Sequence, residues 1–132
     1  MPTLTPRLVV RDAARAIDFY AHALAAKELR RDAHDGTIVN AELAIGDARF
    51  LLVEEQRAWH NHAPTSLGGT SVLLTLDVDD VDAVGERLAQ AGAKVVFAIA
   101  DHAYGKREGR FVDPFGHMWI VSQPLRAAAR RK

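Results

Sequence analysis

Apolar positions in the first half of the chain fall into two patterns with different periods. Residues 4–10 form a short run rich in β-formers, and a helical stripe follows at Ala13, Ala16, Ile17, Tyr20 and Leu24. Positions spaced in that way share one face of a helix, which is expected to lie against a sheet. Asp12 stands just before the stripe and is suited to N-cap it, since its carboxylate can accept from the free amides of the first turn. Residues 37–45 then alternate, with Val39, Ala41, Leu43 and Ile45 on one side. Gly46-Asp47 turns the chain and residues 48–54 return, which predicts a hairpin. A polar stretch containing Pro and Gly, residues 55–69, reads as a linker.

The same order begins again after it. Residues 70–78 predict a strand and Asp80 a second N-cap. Val81, Val84, Leu88 and Ala91 form a helical stripe, with Gly92 placed to cap its end. Residues 94–99 predict a strand, and 109–112 and 118–122 a closing hairpin around Asp113-Pro114-Phe115-Gly116. Leu8-Val9-Val10-Arg11-Asp12 lines up with Leu76-Asp77-Val78-Asp79-Asp80, each leading into its helix. The expected fold is therefore α+β, two tandem βαβββ modules forming a curved mixed sheet cup. Module one covers about 3–57, a linker about 58–69, module two about 70–124 and a basic tail 125–132, all within a single domain of 1–132. A half of about 55 residues buries too little surface to be stable alone, so the halves are expected to pair, with a ligand on the inner face of the sheet.

Composition narrows the function. The 132 residues carry 17 basic and 17 acidic side chains, a balance that argues against a surface held on nucleic-acid phosphates. The one basic cluster, Arg126, Arg130, Arg131 and Lys132, reads as a solvated terminus. Cysteine is absent, which removes disulfides, thiol nucleophiles and thiolate metal sites. No apolar run approaches the roughly 20 residues of a membrane span, and Met1-Pro2-Thr3-Leu4-Thr5-Pro6 lacks the pattern of a signal peptide. No membrane association and a cytoplasmic location are expected.

The motifs carry a resemblance. Asp12 with Ala16-Ile17-Asp18-Phe19-Tyr20, then Asp79-Asp80-Val81-Asp82-Ala83, Ala91-Gly92-Ala93 and Asp113-Pro114-Phe115-Gly116-His117 resemble the glyoxalase/bleomycin-resistance family, the vicinal oxygen chelate superfamily. Ser66-Leu67-Gly68-Gly69-Thr70 and residues 101–109 add similarity to its PhnB-like branch. The resemblance spans essentially the whole chain. It implies paired βαβββ modules and a homodimer, and in the family's enzymes a divalent ion held by four His, Gln or Glu side chains. Those four positions fall in this chain at Thr5, about Leu51, Leu73 and Ile120. Three alkyl side chains and a lone hydroxyl make no cation site. No metal and no cofactor are therefore expected.

Strand parity predicts the lining of the cup. Thr5, Arg7, Asn40, Glu42, Arg49 and Leu51 are expected to face inward from module one, and Leu73, Thr75, Met118 and Ile120 from module two. Trp59 in the linker and Tyr104 in the 101–109 loop each either pack on protein or stack on a planar ligand, and Phe111 is expected near the second cleft. Trp119 alternates into the helix layer, His117 supports the hairpin, and His60 and His62 read as loop histidines. An apolar centre edged by a few polar groups suits a metal-free protein that binds a bulky, partly aromatic molecule such as an antibiotic, without catalytic residues. One alternative is a metal-independent lyase-like or isomerase-like enzyme using Glu42, Arg49 or a cleft histidine. The other is a metal-dependent lyase or dioxygenase with its ligands elsewhere.

Overall fold

A computed structural model describes residues 1–125, so the basic cluster read at 126–132 lies outside the described residues. The chain divides into two compact units, Met1–Gly69 and a second beginning at Thr70. Both contain a four-stranded mixed sheet carrying a helix, so the βαβββ order is present twice. Among the described residues no helix is long and apolar enough to cross a membrane.

In the first unit, β1 (Arg7–Val10) leads into α1 (Ala13–Leu24), followed by β2 (Lys27–His34), β3 (Thr37–Ile45) and β4 (Ala48–Glu54). The sheet order is β1-β4-β3-β2, with β1 parallel to β4 and the other pairs antiparallel. Asp12 caps α1 as expected, accepting from the Arg15 amide at 3.1 Å. All five residues of the predicted stripe are buried, with Phe19 and Ala23 beside them. Tyr20, fully buried, meets Phe19 edge-on at 5.2 Å and Phe50 at 5.5 Å. Leu8, Val10, Ala41, Leu43, Phe50 and Leu52 complete this core.

The strand β2 is absent from the sequence-based expectation. Every residue of KELRRDAH is exposed, because β2 is a sheet edge and shows no apolar alternation. Asp35-Gly36, both with positive φ, makes the tight turn joining it to β3, and Asp-Gly is a strong hairpin signal. Val39 also departs from the stripe assigned to it. A register shift sets Asp32 opposite Asn40 and Ala33 opposite Ile38, so Val39 is the extra residue of a bulge and Ile38 is buried in its place.

The second unit repeats the plan with β5 (Leu73–Asp77), α3 (Val81–Gln90), β6 (Lys94–His102), β7 (Lys106–Val112) and β8 (Met118–Pro124), in the order β5-β8-β7-β6. Asp80 caps α3 through the Ala83 amide at 3.1 Å, and Gly92 follows the C-cap Ala91 with φ 109°. The two units share a second device. Glu54 at the end of β4 accepts from the Ala13 amide at 3.0 Å, and Gln123 near the end of β8 accepts from the Val81 amide at 2.6 Å. In each case the last strand supplies an acceptor to the first free amide of its helix.

Residues 55–69 hold more structure than a linker needs. A 3-10 turn (Arg57–Trp59) and a short helix α2 (Pro64–Leu67) occupy them, and Ala63 and Pro64 are buried. Glu55 organises this segment, accepting from the Ala63 amide at 2.8 Å and from the Ser66 hydroxyl.

Candidate functional site

A cavity of about 300 Å³ opens on the face of the second sheet that points away from α3. Register explains its lining. On β8, Trp119 and Val121 point to the helix, so Met118 and Ile120 point away. Ile120 is level with Arg110 on β7, which is level with Phe97 on β6, and Glu108 lies on the same face one alternation along. His102 pairs with Lys106, and the three residues between them close a hairpin loop, with Gly105 at φ 92° supplying the left-handed position. Tyr104 stands at the loop's centre. Phe97, His102, Tyr104, Glu108, Gly109, Arg110 and Ile120 together surround the cavity.

The walls are held by one another. The rings of His102 and Tyr104 stack at 5.0 Å with planes 7° apart. His102 Nε2 lies 3.3 Å from the Glu108 carbonyl oxygen, which can only accept, so that nitrogen carries the proton. The Tyr104 hydroxyl donates to the Glu108 carboxylate. This bond holds the Glu108 carboxyl below its ordinary pKa, with smaller help from Ser122, His102 and Lys106, and pushes the Tyr104 phenol up. The Arg110 guanidinium lies over the Phe97 ring, 5.2 Å from its centre. Such a site can clasp a flat ring between aromatic edges with a carboxylate beside it.

Of the residues expected to line the cup, Tyr104 and Ile120 border this cavity. Leu73 and Thr75 are level with Met118 and Ile120, so these four share the sheet face away from α3. In the first unit, Arg7, Leu51 and Glu42 form one row across β1, β4 and β3. Arg49 closes on Glu42 at 3.2 Å. Asn40 lies opposite Asp32, and its Oδ1 is buried without a hydrogen-bond partner. Thr5 precedes β1 and is exposed, and Trp59 is 67% exposed on its 3-10 turn.

Phe111 requires a correction. It pairs with Trp119 and is 3% exposed, and its ring comes within 3.2 Å of where a Gly85 Cβ would stand. Phe111 therefore faces α3 and belongs to the core. The same parity identifies what the sequence reading missed, since a helix-facing Phe111 puts Arg110 and Glu108 on the opposite face. Starting β7 at 109 rather than at Lys106 hid that alternation. Phe97 and His102 were hidden by two register shifts in β6.

The family's metal chemistry does not fit these residues. Leu51 lies opposite Arg7 and Ile120 opposite Thr75, and alkyl groups offer no lone pair. Among the described residues, no group of three or more His, Asp or Glu could hold a cation. The Glu54 carboxylate, the nearest acidic alternative, caps α1.

Known proteins agree with the fold. The sequence pattern of the Glyoxalase/Bleomycin resistance protein/Dioxygenase superfamily matches residues 3–121. An uncharacterised protein of Mycobacterium bovis is 46% identical over 129 residues, covering 95% of this chain and 85% of its own. Among solved structures, TioX from Micromonospora sp. ML1 superimposes with a TM-score of 0.74 at 25% identity, covering 94% of this chain and 97% of TioX. The fosfomycin resistance protein FosX of Mesorhizobium loti shares the fold with a TM-score of 0.67 at 18% identity, over 97% of this chain and 96% of FosX. The repeated βαβββ units and the match over nearly the full length make this chain a member of the glyoxalase/bleomycin resistance protein/dioxygenase superfamily.

Proposed function

We propose that this protein binds and sequesters a small, partly aromatic molecule, an antibiotic or related natural product, whose ring lodges in the cavity on β6, β7 and β8. The observation that carries this reading is the pre-set aromatic wall, with Phe97 under Arg110 and His102 stacked on Tyr104. Side chains already fixed by one another lose little freedom when a ring arrives, so the contact area is converted into affinity. A volume of about 300 Å³ suits two or three fused rings and lies at the lower end of ligand pockets. Membership of a superfamily that includes bleomycin resistance proteins supports retention of a compound. In this reading the protein works as a homodimer in the cytoplasm.

Isothermal titration against panels of aromatic antibiotics checks this, paired with mass spectrometry of the ligand after prolonged incubation. Saturation at one ligand per cavity with the compound recovered unchanged is the expected result. Phe97→Ala should weaken binding about tenfold through lost ring contact. Multiple turnovers per protein molecule would exclude sequestration. They would select a second reading, a metal-independent enzyme, which the Tyr104–Glu108 hydrogen bond favours because it sets a proton donor and an acceptor side by side at the cavity.

A further inference from the structure

The cavity holds one feature that a purely apolar ring would not need. Glu108 brings a carboxylate to a lining that is otherwise mostly apolar and aromatic. Burying an ionised carboxylate beneath a neutral ring is costly, because the water it loses is not replaced. A ligand that offers it an opposite charge or a hydrogen-bond donor removes that cost.

Among the described residues, the neighbouring cations make no direct ion pair with this carboxylate, and Lys106 and His102 act on it only at longer range. Arg107, next in sequence, points to the helix side and is tied to Asp82 at 2.8 Å and to Asp101 at 2.9 Å. The Arg110 guanidinium lies over Phe97. Lys106 shares the face of Glu108, and among the described residues no Lys or Arg nitrogen is within ion-pair distance of its carboxylate. The Tyr104 hydroxyl occupies one acceptor direction, while a carboxylate has about four. Across the sheet, Glu108 is level with Ser122 on β8, which is level with Asp77 on β5. A buried hydroxyl therefore stands between two acidic residues in one row, and only 1% of Ser122 is exposed.

We propose that the ligand carries a protonated nitrogen on or beside its aromatic ring, and that Glu108 is the residue that selects it. This rests on the ring-binding reading of the cavity given above. Glu108 reads the cation by a charge-assisted hydrogen bond, while Phe97 and the His102–Tyr104 stack hold the ring. Lys106 and Arg110 moderate the local field, so selection comes from the direct contact rather than from long-range attraction. Rejection of neutral and anionic analogues follows from leaving the carboxylate desolvated and unpaired.

Three acridines of nearly equal size test this by fluorescence titration at neutral pH: 9-aminoacridine, which is cationic, acridine, which is neutral, and acridine-9-carboxylate. A hydrogen bond to a charged group predicts about tenfold tighter binding of 9-aminoacridine than of acridine, with the carboxylate weakest. Glu108→Gln keeps an acceptor for Tyr104 and removes the charge, so it should weaken 9-aminoacridine, relieve the penalty on acridine and bring the two to similar affinity. Equal affinity of the three for the wild type, or a preference that survives Glu108→Gln, overturns the role of Glu108 while the ring site stands. Failure of all three to bind, or binding indifferent to Phe97→Ala, overturns the ring site and this inference with it.

Discussion

Asp113 shows how much one residue can hold. Its carboxylate, 4% exposed, accepts from the Phe115 amide at 2.8 Å, the His117 amide at 3.0 Å and the Trp119 indole at 2.9 Å. The Asp-Pro-Phe-Gly-His motif is thus the turn that aims β8, and with it Ile120, at the cavity. Asp113→Ala strands three buried donors and should destabilise the protein by about 3 kcal/mol, measured by urea unfolding. Glu55 does comparable work between the 3-10 turn and α2, and it adds a pH dependence. The Ser66 hydroxyl, the Ala63 amide and the nearby Arg57 hold its carboxyl below the ordinary glutamate pKa. A depressed folded pKa contributes stability that is complete above the unfolded value and is lost as pH falls through the folded one. Unfolding temperatures taken across that acid range should therefore fall less steeply for Glu55→Gln than for the wild type.

At the scale of elements, two glycines set how closely α3, β6 and β7 approach. Glycine inside a helix costs about 1 kcal/mol relative to alanine, so Gly85 in α3 needs a reason. A Cβ there would stand 2.3 Å from Ile99 Cδ1, the far end of a flexible side chain. At Gly109 on β7 a Cβ would meet the backbone of Ile99, 2.9 Å from its nitrogen and 3.0 Å from its Cα. The two substitutions should behave differently. Gly85→Ala is expected to destabilise by about 1–3 kcal/mol, and Ile99→Val, which deletes Cδ1, to recover most of that loss in the double variant. Gly109→Ala should destabilise more and gain no comparable rescue, because a strand cannot move aside without breaking its register. Thermal unfolding of the four variants decides between these outcomes, and additive losses at Gly85 and Ile99 would contradict the close-packing account.

For the molecule as a whole, the proposed metal-free binding site carries its own test. If the family's ligand positions fall at Thr5, about Leu51, Leu73 and Ile120, as the resemblance implies, manganese(II) should leave the unfolding temperature unchanged, since an ion that does not bind the native state cannot stabilise it. Ligand affinity should be the same before and after treatment with a chelator. Light scattering should give the mass of two chains for the proposed homodimer.

Periodicity made the scaffold legible. Asp12 and Asp80 as caps, both helical stripes and the hairpin around Gly46-Asp47 follow from local hydrogen bonding and from burying one face of each element, and both effects are written in residue order. The alkyl side chains of Leu51, Leu73 and Ile120, where the resemblance puts metal ligands of the family, were equally plain, because lone pairs belong to residue types. The cavity was not. Its floor depends on which face Glu108 and Arg110 take, and that phase is fixed by Phe111 packing against α3 and by register shifts in β6. The edge strand β2 escaped for a related reason, since an exposed edge imposes no apolar alternation. Sequence alone determined the repeated unit. Only the tertiary structure decided where the polar and aromatic groups converge, because register is set by pairing between distant segments rather than by neighbours along the chain.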